Sequence, residues 1–357
     1  MDLRFLSAGL CLVSAFAPSP SAQTIRLSAP FERPSLGDVR TLHASADGSW
    51  VVFDLDASID GSYELFGAPT DGSAPAIALS GSFGPGRGVQ LGHGLAADGA
   101  HALYRATTDS SLPGLFAVPI DGSAPPLALS NPDDNVTGFE SSLDGELVLY
   151  RAQAIGSPRF ELFVVPIDRS AAPIVVSGST WAAGGSVQFD GQKIAPDGTR
   201  IVYRADQTTD EVFELYAAPL DGSGAPLRIS GSQAPGGDVV AGSWRFSGDG
   251  TSVVFLADRT ADGVVELFAA PLDGSAPPVR LNGALVGGGD VQSFTLSPSR
   301  VVYLADQDTD QVVELYSAPV DGSASASRLS PSLAPGEVCN GFELTLDGAR
   351  AVFVLLG

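Results

Sequence analysis

The chain has 357 residues, and its 42 glycines and 26 prolines exclude an architecture built on long helices. Its 41 acidic residues against 19 basic ones give a formal net charge of −22 at pH 7. Because such a charge repels phosphate groups, we expect neither nucleic acid nor an anionic membrane surface as a partner. Cations and basic protein surfaces are compatible with it; the alternative is that acidity only keeps an exported protein soluble.

Residues 1–22 have the pattern of a secretory signal peptide, so we expect the protein to be exported, to the periplasm or the extracellular space. Arg4 supplies a positive start, Phe5–Ala17 is a short apolar segment, and cleavage is expected after Ala22. The apolar segment is too short to span a membrane. After cleavage Cys339 is the only cysteine, which excludes an intrachain disulfide in a monomer.

Residues 23–357 are predicted to form a single domain of β-sheet repeats. The clearest copy, Ile194–Ser230, contains the apolar run Ile201–Tyr203, the run Phe213–Tyr216 and a last strand, Pro226–Ile229. Asp-Gly pairs between such runs predict tight hairpin turns, because glycine accepts a positive φ and aspartate bonds its own backbone. One four-stranded sheet of this size cannot bury both faces, so the copies must stack on one another.

The first hairpin turn of the repeat occurs seven times, about 50 residues apart. The turns are Asp47-Gly48, Asp98-Gly99, Asp144-Gly145, Asp197-Gly198, Asp249-Gly250, Ser297-Pro298 and Asp347-Gly348. An aromatic residue follows six positions after the start of each turn: Phe53, Tyr104, Tyr150, Tyr203, Phe255, Tyr303 and Phe353. An aromatic at one fixed strand position packs between neighbouring sheets, so the sequence predicts an all-β, seven-bladed β-propeller of four-stranded repeats.

The two ends of the chain carry complementary parts of one repeat. Thr24–Ser28 matches the fourth strand of the other copies, whereas Gly341–Leu356 contains only the first two strands. We therefore expect a shortened last blade that is closed by the N-terminal strand, which removes an open sheet edge.

The recurring pattern S/A-x-D-G-x-x-V-x-Y/F, followed by E-L-Y/F-x-x-P-x-D-G-S-A-P-x-x-L-S, resembles the repeat of TolB-type β-propellers over Thr24–Gly357. The resemblance implies a propeller fold. Propellers of this type serve as periplasmic protein-binding scaffolds, as substrate-gating domains of serine peptidases and as enzymes. We therefore predict a non-enzymatic scaffold that binds a protein or a component of the cell envelope.

Four acidic residues precede predicted innermost strands: Asp38, Asp238, Asp290 and Glu337. If the repeats form a ring, these carboxylates lie at one mouth of the central channel, where they would bind a cation such as Ca2+ or a basic side chain. The alternative is that each carboxylate caps its own turn.

A second acidic array lies in the loop between the second and third strands of the repeat. In the sixth copy it becomes Asp306, Asp308 and Asp310, which resembles the start of a calcium-binding loop, so we predict these residues as ligands of Ca2+. The alternative is that they tie the hairpin or pair with an arginine.

The sequence gives little support for catalysis, since it has no G-x-S-x-G motif and only three histidines, His43, His93 and His101. His43 and His93 fall near equivalent places on innermost strands. The alternative to a scaffold is therefore a hydrolase or lyase acting on a polysaccharide or a small ester, with channel carboxylates and one of these histidines. Such an enzyme would need a histidine and two carboxylates within hydrogen-bond reach of one another.

Overall fold

The computed structural model describes residues 11–14, 23–26, 38–109, 112–334 and 336–357, and these contain strands and no helix. The prediction of an all-β fold is confirmed. The expected cleavage point after Ala22 lies outside the described residues. The chain divides into two compact units, residues 1–175 and residues 176–357, and each is described by itself.

The first unit contains two N-terminal strands, β1 (Cys11–Ser14) and β2 (Gln23–Arg26), which pair with each other, and then three sheets. Blade 1 consists of β3 (Val39–Ala44), β4 (Trp50–Ile59), β5 (Ser62–Pro69) and β6 (Ile77–Ala78). Blade 2 consists of β7 (Gly88–Val89), β8 (Gly94–Leu95), β9 (His101–Thr107), β10 (Pro113–Pro119) and β11 (Leu127–Ala128). Blade 3 consists of β12 (Asn135–Ser141), β13 (Leu147–Gln153), β14 (Glu161–Pro166) and β15 (Ile174–Val175).

The second unit contains four more sheets. Blade 4 consists of β16 (Lys193–Ile194), β17 (Arg200–Ala205), β18 (Glu214–Pro219) and β19 (Leu227–Arg228). Blade 5 consists of β20 (Val239–Phe246), β21 (Ser252–Ala257), β22 (Glu266–Pro271) and β23 (Val279–Arg280). Blade 6 consists of β24 (Val291–Leu296), β25 (Arg300–Ala305), β26 (Glu314–Pro319) and β27 (Ser327–Arg328), and blade 7 of β28 (Val338–Leu344) and β29 (Ala351–Leu356).

Strand order within the sheets follows chain order, with antiparallel neighbours, so the predicted seven-bladed β-propeller is confirmed. Blade 2 differs in one respect: its innermost strand is interrupted, and β7 and β8 both pair with β9. The interruption places residues 90–93 outside any strand.

Blade 7 has two strands, as predicted, but β2 pairs with β1 and not with this blade. Cleavage after Ala22 would remove β1, so closure of blade 7 by β2 stays a prediction for the processed chain.

The aromatic residue predicted for the second strand is buried in each of the first six blades. It stacks on an aromatic of the third strand, with ring centres 5.2–5.9 Å apart. The pairs are Phe53–Phe66, Tyr104–Phe116, Tyr150–Phe163, Tyr203–Tyr216, Phe255–Phe268 and Tyr303–Tyr316. Phe353 of blade 7 is only partly buried. The prediction of a repeated aromatic core is therefore confirmed for blades 1 to 6.

Each four-stranded blade has two different ends because its strands are antiparallel. The turns between the first and second strands and between the third and fourth strands lie at one end, called here the turn end. The loop between the second and third strands and the linker to the next blade lie at the other end, called the loop end. Acidic residues recur at both ends.

Candidate functional site

The turn end of the blades carries a repeated, exposed aspartate. In blade 1, Asp47 accepts hydrogen bonds from the Ser45 hydroxyl at 2.6 Å, the Ser49 amide at 3.0 Å and the Ser49 hydroxyl at 2.7 Å. These donors, the Ser45 hydroxyl foremost, lower the pKa of Asp47 to about 2. A hydrogen bond to the charged form favours that form, so this carboxylate is ionised at any physiological pH.

The same arrangement recurs in the other blades. The pKa of each of these exposed aspartates lies below its usual range because neighbouring hydroxyls and amides donate to the carboxylate: Asp71, Asp121, Asp144, Asp168, Asp221, Asp249, Asp273, Asp321 and Asp347. The turn end of each blade therefore presents fixed negative charge.

At the loop end, a buried aspartate joins two segments of backbone. In blade 4, Asp206 accepts from the Ser186 amide through Oδ1 at 2.7 Å and from the Glu211 amide through Oδ2 at 3.2 Å. Equivalent bonds are made by Asp56, Asp258 and Asp306. These carboxylates hold the loop against the entry to the innermost strand, which is the hairpin-tying role that the sequence left open.

The predicted acidic quartet divides between the two units, with Asp38 in the first and the other three residues in the second. Asp238 Oδ1 accepts from the Phe213 amide at 2.7 Å, and Asp290 Oδ1 accepts from the Val265 amide at 2.7 Å. Glu337 Oε2 accepts from an amide three residues earlier at 2.7 Å. These three carboxylates thus have the backbone bonds expected of caps, and cation binding by the quartet stays a prediction.

The predicted calcium ligands of blade 6 are engaged by protein groups. Both oxygens of Asp306 accept backbone amides, at 2.6 and 3.0 Å. Asp308 Oδ2 lies 3.5 Å from the Arg328 guanidinium. Asp310 Oδ2 accepts from the Gln311 side chain at 3.4 Å. Calcium binding here also stays a prediction.

A carboxylate cluster occurs in the equivalent loop of blade 4. Within the described residues, oxygens of Asp206, Asp210 and Glu211 lie within 4.8 Å of one another. The sequence signal for this cluster is the additional glutamate directly after the D-x-x-x-D motif. Both Asp206 oxygens already accept hydrogen bonds from backbone amides, so we interpret the cluster as stabilising the loop.

The innermost strand of blade 1 organises a buried polar group of a different kind. A β-bulge between Val39 and Leu42 places Arg40 and Thr41 opposite Asp54, which is fully buried. Asp54 Oδ1 accepts from the Thr41 amide at 2.8 Å and the Thr41 hydroxyl at 3.0 Å, and Oδ2 accepts from Arg40 Nε at 2.8 Å. The buried carboxylate is therefore compensated by a guanidinium and two further donors.

The Arg40 side chain connects blade 1 to blade 2. Its guanidinium lies 3.4 Å from the centre of the Tyr63 ring and donates to the Val89 carbonyl at 2.8 Å. Gly88 permits this close packing, because a Cβ there would lie 2.6 Å from the Tyr63 carbonyl oxygen. The position of Arg40, and with it Asp54, is thus determined by contacts from two blades.

His93 lies in the interruption between β7 and β8, next to Gly92, whose φ of 92° suits glycine. The ring is 3 % exposed, and Nδ1 lies 3.1 Å from the Thr41 hydroxyl. Burial lowers the pKa of His93 to about 4, although the nearby Asp54 charge acts in the opposite direction. His93 is therefore neutral at physiological pH.

The His43 ring meets the His93 ring edge to face, with centres 5.0 Å apart and an interplanar angle of 86°. The two histidines singled out in the sequence are therefore in contact. His93 is linked to one carboxylate, Asp54, through the Thr41 hydroxyl. Neither Thr41 nor Asp54 belongs to a repeated motif, so no sequence pattern singles them out.

Two cavities of about 540 Å³ lie elsewhere, one in each unit. The cavity in the second unit is lined by Trp181, Tyr216 and Pro226 among others, and the one in the first unit by Phe116 and Arg169 among others. Neither is lined by a residue of the predicted acidic sets. In the described part of the chain, no helix is long and apolar enough to cross a membrane.

No protein-family model matches the chain, and no curated protein does. Among solved structures, it is similar to a dipeptidyl peptidase 4 from Porphyromonas gingivalis, with 12% identity, a TM-score of 0.58, and coverage of 91% of this chain and 49% of that chain. The chain thus spans about half the length of that peptidase. At this identity the similarity shows the propeller fold alone.

Two further matches have lower TM-scores. A protein from Agrobacterium tumefaciens assigned as TolB is 19% identical, with a TM-score of 0.38 and coverage of 67% of this chain and 79% of that one. An oligogalacturonate lyase from Vibrio parahaemolyticus is 14% identical, with a TM-score of 0.47 and coverage of 96% and 89%, respectively.

Proposed function

We propose that residues 23–357, released from the signal peptide, act as an exported propeller scaffold that binds a basic surface of a protein or of a cell-envelope component. The observation that supports this most is the repeated turn-end aspartate, exposed and held in its ionised form by its own turn. The resemblance of the repeat to TolB-type propellers supports the same role.

Exposed apolar side chains accompany the charges at the turn end. Leu143 and Leu346 are 63% and 111% exposed, and each directly precedes a turn aspartate. Apolar contact area provides affinity, whereas complementary charge provides selectivity and a fast association rate. A partner with lysines or arginines around an apolar residue fits the turn end of either unit.

Binding through the turn end is tested by removing charges from it without changing the fold. Asp71→Asn, Asp121→Asn and Asp168→Asn are combined in the first unit. Asparagine still accepts the amide bond of the turn, so the hairpins are retained while three charges are lost. A matched control removes three exposed carboxylates from the loop end of the same unit: Asp60→Asn, Asp109→Asn and Asp133→Asn.

The wild-type protein and both variants are cross-linked in the native envelope fraction, and captured proteins are identified by mass spectrometry. We expect a partner that is captured by the wild type and the loop-end control, is lost from the turn-end variant, and declines in high salt because exposed charges are screened. Equal capture by the turn-end variant, or capture independent of salt, would overturn the proposal.

A further inference from the structure

The buried imidazole of His93 has an unused coordinating atom. Thr41 has one hydroxyl proton, and Asp54 Oδ1, 3.0 Å away, can only accept it. The Thr41 oxygen must then accept from His93 Nδ1–H across 3.1 Å. This chain of hydrogen bonds assigns the Nδ1–H tautomer and leaves a lone pair on Nε2, which is buried and has no hydrogen-bond partner among the described residues.

A buried nitrogen lone pair ordinarily accepts a hydrogen bond or binds a metal ion, because leaving it without a partner lowers the stability of the fold. The arrangement around it is the one that proteins use for metal-binding histidines: the far nitrogen donates to an oxygen, which fixes the ring and its tautomer. Here the Thr41 hydroxyl is that oxygen, and Asp54 holds the hydroxyl in turn.

The His43 ring lies close enough to the His93 ring to supply a second nitrogen. An imidazole nitrogen lies about 1.1 Å from its ring centre and about 2.0 Å from a bound zinc ion, so two histidines on one tetrahedral ion have ring centres about 5.1 Å apart. The observed separation of the His43 and His93 ring centres is 5.0 Å. His43 is exposed, so its ring can rotate toward a shared ion, and water can reach the remaining coordination positions.

We propose that His43 and His93 form a binding site for a divalent transition-metal ion of the Zn2+ class, with water completing the coordination. Imidazole nitrogens prefer zinc, nickel and copper, whereas calcium and magnesium require oxygen ligands. The site is distinct from the acidic turn end and from the predicted calcium ligands. It would give the first unit a metal centre on its innermost strand, open to an incoming ligand.

The test uses untagged mature protein that has been stripped of metal with a chelator and dialysed. Zinc binding is measured by titration calorimetry, and the nitrogen ligands are counted by electron paramagnetic resonance of the Cu2+ form. The chain contains three histidines, so His101→Ala is a matched control: His101 lies on β9 and contacts Asp98 at 2.5 Å. His43→Ala changes an exposed residue, and its fold is expected to be preserved.

We expect His43→Ala to weaken zinc binding at this site at least tenfold and to remove one nitrogen from the copper spectrum, while His101→Ala changes neither. Thr41→Val should weaken binding about tenfold, because the Nδ1–H of His93 loses the hydroxyl oxygen that orients the ring. Magnesium and calcium should not displace the zinc. Zinc binding in His43→Ala equal to that of the wild type, or a copper spectrum without nitrogen ligands in the wild type, would overturn the proposal.

Discussion

The charge of a buried glutamate is balanced by an arginine in some blades and not in others. Glu214 pairs with Arg228 at 2.8 Å, and the same pairs occur in blades 5 and 6. Glu64 occupies the equivalent position in blade 1 and is 4% exposed, but Ala78 stands where those blades have arginine. Burial accordingly raises the pKa of Glu64, and hydrogen bonds from the Ser58 hydroxyl and the Phe83 amide oppose it.

We expect Glu64→Gln to raise the free energy of unfolding at pH 7. A carboxyl group whose pKa is higher in the folded protein stabilises the fold below its unfolded pKa, about 4.3 for glutamate, and this stabilisation is lost as pH rises through the folded pKa. Glutamine carries no charge and avoids that loss. Thermal unfolding between pH 3 and pH 7 should show a gain that disappears in acid; a difference independent of pH would contradict the explanation.

Glu214→Gln is the control, and we expect it to lower the stability of the fold at pH 7. It leaves the Arg228 guanidinium without its buried carboxylate, so the variant should unfold at a lower temperature than wild type at pH 7. The two substitutions are chemically identical. They differ because the fourth strand carries Arg228 in blade 4 and Ala78 at the same position in blade 1.

The carboxylates of Asp238 and Asp290 test the predicted cation site. A bound ion stabilises the fold by about 2.7 kcal/mol at a hundredfold excess over its Kd. Thermal unfolding of the mature protein should therefore shift upward in millimolar Ca2+, and the shift should vanish when Asp238→Asn is combined with Asp290→Asn. Asparagine keeps the amide bonds to Phe213 and Val265, so a persistent or absent shift would identify these residues as caps alone.

At the scale of the element, strand register is maintained despite differences in the turns. In blade 5 the first turn closes with a Ser247 amide to Ser252 carbonyl bond, whereas in blade 6 the Ser297 amide reaches Arg300, two residues sooner. The aromatic position nevertheless faces the same innermost-strand position in both blades. Register is set by the buried faces of the strands, because a one-residue slip would expose the aromatic core.

The shared register predicts that the missing ion pair can be built into blade 1. Ala78 faces Phe66 as Arg228 faces Tyr216, so Ala78→Arg should place a guanidinium beside Glu64. We expect about 0.5 kcal/mol of stabilisation in chemical unfolding, since the arginine would be partly exposed. The gain should vanish in the Glu64→Gln background, and an equal gain there would contradict a paired origin.

Blade 2 offers the matched control for this substitution. Ala128 faces Phe116 in the same register, but Gly114 stands where the other blades have glutamate. Ala128→Arg should therefore give no stabilisation.

At the scale of the whole molecule, the predicted cleavage after Ala22 would decide whether the last blade is completed. Within the described residues, β2 pairs with β1, and blade 7 consists of β28 and β29. Removal of residues 1–22 takes away β1 and leaves β2 with unpaired backbone groups. The edge strand of blade 7 also has unpaired backbone groups, and pairing with β2 would satisfy the backbone groups of both strands.

We expect mature protein that begins at Pro30 to unfold at a much lower temperature than mature protein that begins at Gln23. The deletion removes β2, which is predicted to complete the last sheet. Calorimetric scans of the two proteins decide the question. Equal unfolding temperatures would exclude closure of the propeller by this strand.

Much of the fold was determined by the sequence itself. The turn pairs, the strand lengths and the aromatic at a fixed position are local features repeated along the chain, and repetition forces one sheet to pack on its copy. Tyr203 and Phe255 could therefore be placed in the core from spacing alone, and the shortened blade 7 could be anticipated.

The candidate site was decided by tertiary structure. Thr41 and Asp54 belong to no repeated pattern, and they meet His93 because a β-bulge redirects one strand while an interruption releases another. Bulges and interruptions depend on packing between blades, which the spacing of residues along one strand does not encode. The acidic residues of the loops could likewise be identified from the sequence. Their hydrogen bonds could not, so a free carboxylate could not be distinguished from one whose oxygens already accept backbone amides.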